Sequence, residues 1–201
     1  MNRTLRLKTP LSEMEIRRLK VGDIVYLSGI IVTARDAAHK RMLDLVEAGK
    51  PLPINLRGFP IYHCGPLVRM EDGRWIVLAA GPTTSMRMEP LESVAIEKLG
   101  VRMVIGKGGM GKKTADAMAR FGSVYGAFTG GAAILAARHV TRVVDVKWLD
   151  LGVPEALWVL EVKGFGPLII AIDSHGNNLF GEVNERAWER YRFALQESGE
   201  A

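Results

Sequence analysis

Between residues 75 and 128, short apolar runs end in glycine-rich turns, and each turn opens into residues with helical spacing. Residues 75–80 (Trp-Ile-Val-Leu-Ala-Ala) read as a buried strand. The turn Gly81-Pro82-Thr83-Thr84-Ser85-Met86-Arg87-Met88 follows, and then a helix opened by Pro90, with Leu91, Val94, Ala95 and Leu99 on its buried face and Gly100 as its stop. Residues 101–105 form a second apolar run ending in Gly106-Lys107-Gly108-Gly109. A helix at 114–121 with Thr114 as its cap and a strand at 123–128 continue the pattern. Strands alternating with helices need a sheet with helices laid on it, so the chain is read as α/β.

The flanking segments agree. Residues 11–19 suggest a short helix capped by Ser12, with Glu15 completing a capping box. The β-branched runs at 24–27 and 30–33 read as strands. At 35–48 the spacing becomes helical, with Ala38, Met42, Leu45 and Val46 on one face and Gly49 at the end. An irregular loop at 51–60 precedes strands at 61–64 and 67–70. After Gly130-Gly131 come a short apolar helix at 132–137 and strands at 141–148, 157–162 and 168–173. A last helix, about 183–197, carries Trp188, Tyr191 and Leu195 on one side. No repeat or linker divides residues 1–201, which are read as one domain.

Charge and cysteine usage narrow the function. A net charge of +5 fits either attraction for anions or a solvated basic surface. Arg17, Arg18, Lys20, Lys40, Arg41, Lys112 and Lys113 are scattered, with no aromatic stacking motif among them, so nucleic acid is not expected as a partner. No apolar run reaches the ~20 residues of a membrane span, and the first residues lack a signal-peptide core, so a cytoplasmic location is expected. A lone Cys64 excludes an internal disulfide and cannot by itself form a metal site, so no metal ligand is assigned to this chain.

Two loops carry the chemistry. Thr83, Thr84 and Arg87 follow one strand as an anion-holding turn, and Lys107 follows another as a cation. Together they could grip the two ends of a small dicarboxylate. The second loop, extended to Gly106-Lys107-Gly108-Gly109-Met110-Gly111-Lys112-Lys113, also nearly spells a phosphate-binding loop, but Lys113 stands where the magnesium-holding hydroxyl belongs and Thr114 comes one residue late. A glycine turn needing positive φ is a further reading. Arg35 and His39, four apart at a helix start, share a face suited to a carboxylate and a proton. The alternative is an ion pair of Arg35 with Asp36 or Asp44 and a solvated His39. His63 and Cys64 are adjacent on a strand and point to opposite faces, which favours a buried structural thiol over a nucleophilic pair. Asp173-Ser174-His175-Gly176-Asn177-Asn178 reads as a loop with Asx turns.

Six ordered motifs resemble one family: Thr33-Ala34-Arg35-Asp36 with His39, Tyr62-His63-Cys64-Gly65-Pro66, Gly81-Pro82-Thr83-Thr84-Ser85 with Arg87-Met88, Gly106-Lys107-Gly108-Gly109, Phe165-Gly166-Pro167-Leu168, and Asp173-Ser174-His175-Gly176-Asn177. They are similar to the β subunit, or C-terminal domain, of the iron–sulfur hydro-lyases, the class I fumarases and L(+)-tartrate dehydratases, over residues 9–180.

The resemblance implies a swivelling β/β/α domain and reversible dehydration of a C4 hydroxy dicarboxylate. It implies a 4Fe–4S cluster held by three cysteines of a partner α subunit, since this chain has one, and commonly an (αβ)2 assembly. Position by position, Arg35, Arg87 and Lys107 match substrate-carboxylate binders beside Thr84. Thr83 matches a residue at the reacting carbons with a part in proton transfer, and His39 a histidine treated as catalytic in tartrate dehydratases. Lys107 joins Thr83 and His39 as the catalytic set, because a fixed cation stabilises the charge that builds on a carboxylate when the neighbouring carbon loses a proton. Split α/β pairs lead to malate and fumarate as the expected substrates, whereas Met86 leans towards L-tartrate. The reading from another class is a non-catalytic anion-binding module.

Overall fold

The computed structural model describes residues 3–198. It opens with β1 (Thr4–Lys8), the short helix α1 (Glu13–Ile16) and the long strand β2 (Ile24–Thr33). The Ser12 hydroxyl accepts from the Glu15 N–H while the Glu15 carboxylate accepts from the Ser12 N–H, the expected capping box. After α2 (Asp36–Glu47) and β3 (Pro60–Tyr62) comes a hairpin of β4 (Leu67–Glu71) and β5 (Arg74–Ala79). A 3-10 turn at Ser85–Met88 leads into α3 (Glu89–Leu99), followed by β6 (Met103–Gly106), α4 (Lys112–Phe121) and β7 (Val124–Ala127). The chain closes with α5 (Ala133–Arg138), β8 (Val140–Lys147), β9 (Leu157–Ile172) and α6 (Leu179–Ser198).

The sheet runs β1-β2-β3-β6-β7-β9-β8, and β9 also pairs with β2, so β2, β3, β6, β7 and β9 close into a small mixed barrel. The pairs β1–β2, β2–β3, β3–β6 and β6–β7 are parallel, while β9 is antiparallel to each of its partners. Alternate residues serve two cores. Tyr62, Met103, Ile105, Trp158, Leu160 and Phe165 pack together in one. Val32, Ile61, Val104, Tyr125 and Leu157 face the other, beneath Met42 of α2, Ile96 of α3 and Met118 of α4. Covering both faces of a parallel sheet makes its strands read as unbroken apolar runs. This is the swivelling β/β/α architecture expected from the motifs.

Several elements depart from the sequence expectation. The two runs at 24–27 and 30–33 belong to one strand, which passes Gly29 at φ 106° and shifts register against β9 on the way. The runs at 157–162 and 168–173 are likewise one strand, β9. Residues 75–80 are not a buried strand. Trp75 and Val77 turn inward, Trp75 meeting Trp158 edge-on at 5.2 Å, but Ile76 and Leu78 are each 39% exposed because the two-stranded hairpin is covered on one face only. On α3, Glu92 rather than Val94 completes the buried stripe with Ala95, Ile96 and Leu99. Helix α4 begins at Lys112 with Gly111 at its N-cap, ahead of the expected Thr114. Trp188 and Tyr191 of α6 meet each other edge-on at 5.8 Å and remain exposed. Among the described residues no helix is long and apolar enough to cross a membrane.

Trp158 is fully buried, its indole N–H donating to Val153 O at 2.9 Å and its backbone N–H to the Thr33 hydroxyl at 3.1 Å. Trp158→Ala should therefore cost about 3–5 kcal/mol in urea denaturation, and a loss below about 1 kcal/mol would contradict this packing.

Candidate active site

Strands β2, β3 and β6 are parallel neighbours, so the segments leaving their carboxyl ends emerge side by side. β2 delivers Arg35, β3 delivers His63, and β6 delivers Lys107. The turn after β5 threads between them. The Thr83 N–H donates to His63 O at 2.7 Å, the Lys107 N–H to Thr83 O at 3.3 Å, and the Ser85 N–H to Lys107 O at 2.9 Å. Thr84 and Lys107 thus pair like a fragment of parallel sheet, and Cys64 pairs with Pro82. Backbone hydrogen bonds hold the two loops that the sequence singled out in direct contact.

Arg35 is half-buried, its Nε 3.3 Å from Glu155 Oε1, and a Cβ at Gly65 would fall 3.0 Å from its Nη1. The Glu155 carboxylate also accepts from the Ala37 N–H at 3.0 Å, capping the first turn of α2. The expected pairing of Arg35 with Asp36 or Asp44 is not formed. Asp36 is instead forked by Arg87, whose Nε and Nη2 donate to it at 3.1 and 2.7 Å. Lys107 is exposed, its stem running along Gly130, and among the described residues it has no ion-pair partner. Thr83 is half-buried and Thr84 exposed. A cleft of about 410 Å³ opens nearby between Met86, Gly108, Lys112 and Phe180, but Arg35, Thr83 and Lys107 lie outside it.

His39, for which the sequence left a solvated alternative, is fully buried. Its Nε2 lies 3.2 Å from Glu92 Oε2, although off hydrogen-bond alignment, and its Nδ1 lies 2.9 Å from Arg35 O. His63 Nε2 meets the same Glu92 oxygen at 2.9 Å. On its other side His63 Nδ1 meets Ser85 Oγ at 2.9 Å, and the Tyr125 hydroxyl donates to that same Oγ at 2.9 Å. His39, His63, Ser85, Glu92 and Tyr125 are all fully buried.

Their partners fix the protons. His39 Nδ1 faces a carbonyl, which only accepts, and Nε2 lies beside the Glu92 carboxylate, so the surroundings favour the doubly protonated ring. Burial opposes that charge, but the Glu92 carboxylate outweighs it and holds the His39 pKa above its ordinary value. For His63 burial prevails over the pull of Glu92, and its pKa is lowered. His63 is therefore neutral, donating from Nε2 to Glu92 and accepting at Nδ1 from the Ser85 hydroxyl. Burial would raise Glu92 as well, yet the two imidazoles hold its carboxyl down to about 2. Removing one partner of such a pair leaves a buried charge unmatched, at a cost of about 3–5 kcal/mol.

The phosphate-loop reading meets a physical obstacle. Glu89 accepts from the Gly111 N–H at 2.7 Å, the Thr114 N–H at 3.3 Å and the Thr114 hydroxyl at 2.7 Å. Two of the amides that would face a phosphate at the start of α4, those of Gly111 and Thr114, are taken by the chain's own carboxylate.

His39, His63 and Glu92 have the donor types of a metal site, with ligand atoms within 4.8 Å of one another, but they are closed on one another as an ion pair and a hydrogen bond. Cys64 is fully buried, and burial pushes its thiol up to about 12. A single protonated thiol offers no cradle for an iron–sulfur cluster, so the residues of this chain do not fit that group as its holder.

The sequence reading missed Glu92 and Ser85 and weighed His63 only against Cys64. The signal for Glu92 is its place in the stripe Glu92, Ala95, Ile96 and Leu99, where a lone acid on a buried helical face demands charged partners.

Cations and hydroxyls thus gather at the carboxyl ends of neighbouring strands of a closed mixed barrel. Residues 1–183 match the family described as fumarase C-terminus. The L(+)-tartrate dehydratase subunit beta of Escherichia coli K12 is 46% identical over 184 residues, covering 92% of this chain and 90% of that one. A protein of Methanocaldococcus jannaschii, provisionally named L(+)-tartrate dehydratase subunit beta, is 45% identical over 181 residues, 90% of this chain and 93% of its own. A Geobacillus stearothermophilus protein provisionally named fumarate hydratase class I is 45% identical over 189 residues, 94% of this chain but 36% of its own. The chain belongs to the fumarase C-terminus family.

Two outcomes follow from the site's geometry. Cys64 should resist alkylation in the native protein at mildly alkaline pH and react only on unfolding; rapid native labelling, read by mass spectrometry, would contradict its burial. A Cβ at Gly106 would overlap the Ser85 hydroxyl. Gly106→Ala should therefore destabilise by about 1–3 kcal/mol, and a variant of unchanged melting temperature would show that the turn is looser than described.

Proposed function

We propose that this chain is the β subunit of an L(+)-tartrate dehydratase, which removes water from tartrate to give oxaloacetate together with an α subunit. The observation that carries this reading is the backbone-locked pair of loops presenting Thr83, Thr84 and Lys107 beside Arg35, with Arg87 a turn further on. The order of substrates differs from the sequence expectation, which led with malate and fumarate. Similarity to the tartrate dehydratase β subunits over nine-tenths of both chains favours tartrate, and the bulk of Met86 beside Arg87 agrees with it. Malate and fumarate remain the second reading, supported by the relative named for fumarate hydratase.

In this proposal Arg35, Arg87 and Lys107 hold the two carboxylates, with Thr84 beside them. Asp36 and Glu155 keep the two guanidiniums aimed until a substrate carboxylate takes their place. Thr83 stands at the reacting carbons and takes part in proton transfer. Lys107 stabilises the dianion that develops next to the carbon losing its proton, an interaction stronger in the transition state than in the ground state. His39 is too deeply buried to touch substrate and contributes by holding Arg35.

A 4Fe–4S cluster, when bound to the enzyme, would act as a Lewis acid on the leaving hydroxyl. Its three cysteines come from the α subunit. The open face around Lys107 is where that subunit would close the site, in an (αβ)2 assembly of the kind the family resemblance implies.

The test is co-expression with a three-cysteine α-type partner, purification without oxygen, and assay of both acids. Turnover of L-tartrate well above malate is expected, and the reverse preference would favour the second reading. Lys107→Ala and Arg87→Ala should each lower kcat/KM by about 100- to 1000-fold, as for loss of one oxyanion-stabilising donor. A loaded complex inert towards both acids would leave the anion-binding module as the better description.

A further inference from the structure

We propose that Glu92 is a positioning residue for this reaction: a carboxylate that substrate does not reach, it holds the loops bearing Arg35, Thr83 and Lys107 in register through His39, His63 and Ser85. The inference rests on the hydro-lyase reading above and goes beyond its substrate-facing residues.

Each loop has its own tie to the buried cluster. The Arg35 carbonyl accepts from His39 Nδ1 at 2.9 Å, and the Thr83 N–H donates to the His63 carbonyl at 2.7 Å. The Lys107 carbonyl accepts from the Ser85 N–H at 2.9 Å, while the Ser85 hydroxyl is fixed between His63 Nδ1 and the Tyr125 hydroxyl. The two imidazoles then converge on a single atom, Glu92 Oε2, at 2.9 and 3.2 Å. Four segments are thereby pinned to one carboxylate: the start of α2, the residue after β3, the turn after β5 and the loop after β6.

Charge, rather than bulk, is what the position supplies. An apolar side chain of equal volume would fill the space but leave two buried imidazole N–H groups unmatched. The groups facing the cluster allow no substitute. Asp36 and Arg35 lie towards the surface on the α2 side, Asp36 already held by Arg87, while Ser85 and Tyr125 are uncharged neighbours from the turn and from β7. Catalytic geometry is sensitive to such support, since a displacement of about 1 Å can cost roughly 100-fold in rate.

The rival occupant of the same donors is a divalent metal. Bonds of about 2.0–2.2 Å in tetrahedral array would spread the ligand atoms wider than a hydrogen bond does. The 2.9 Å between His63 Nε2 and Glu92 Oε2 suits a shared proton.

The experiment uses the cluster-loaded complex with Glu92→Gln and Glu92→Asp. It measures kcat and KM for whichever acid is turned over, and it records nitrogen NMR of labelled histidines in the β chain. For Glu92→Gln, kcat per loaded complex should fall about 100-fold while KM moves much less, and Glu92→Asp should recover part of the loss because it keeps the charge. In the unmodified complex near neutral pH, His39 should carry protons on both nitrogens and His63 on Nε2 alone, with the second His39 proton lost in Glu92→Gln. An unchanged kcat in Glu92→Gln would overturn the proposal, as would equal losses in both variants or a neutral His39. A stoichiometric metal other than iron that disappears with Glu92 would overturn it in favour of a metal site. If the complex is inert towards both acids, the functional reading fails and the histidine spectra alone decide whether the cluster is built as described.

Discussion

The Glu92 carboxylate is fully buried between two imidazoles, and the segments that carry Arg35, Thr83 and Lys107 are tied to that meeting of charges. A lone carboxylate at such depth would take up a proton, and a lone imidazolium would lose one. Facing each other, Glu92 and His39 each supply the reason for the other's charge, and the neutral His63 extends the contact to Ser85 and Tyr125. The network joins residues far apart in sequence, on α2, after β3, in the turn after β5, on α3 and on β7, so it forms only once these elements have packed together. Folding and assembly of the site are in this sense one event.

The barrel explains why the loops can meet at all. Because β2, β3 and β6 run parallel and adjacent, their outgoing segments leave from the same rim, within reach of the turn after β5. Gly106 and Gly65 are the permissive points of this arrangement. A side chain at the first would strike Ser85, and one at the second would crowd Arg35 and Pro154. Neither glycine is chosen here for a left-handed turn; each marks a place where two segments pass too closely for a methyl group.

Much of the fold was legible in the alternation of apolar runs and glycine turns, and the loops at Thr83 and Lys107 were legible as a pair because each follows a strand. What local pattern could not show was pairing across the barrel. β2 and β9 each read as two strands because Gly29 and the segment Gly164 to Pro167 interrupt the apolar run, whereas the ladder continues through them. The run at 75–80 read as buried because covering on one face and on both looks alike where tryptophan, isoleucine, valine and leucine follow one another. His39 could not be assigned to solvent or core without knowing that Glu92, on another helix, lies opposite it. Glu155 escaped notice for the same reason, since its partner Arg35 lies far away in the chain.

The start of α4 has a consequence for what the protein ignores. The Gly111 and Thr114 amides and the Thr114 hydroxyl donate to the Glu89 carboxylate, which arrives from the beginning of α3. A helix that brings its own counter-ion is deaf to those dissolved around it, so nucleotides and sugar phosphates find that end already answered. Lys107, upstream in the same glycine-rich stretch, stays exposed and has no ion-pair partner among the described residues, so its charge remains available to a small visiting anion. The pull of that helix end on anions is in this way met from within, by filling the position rather than by removing it.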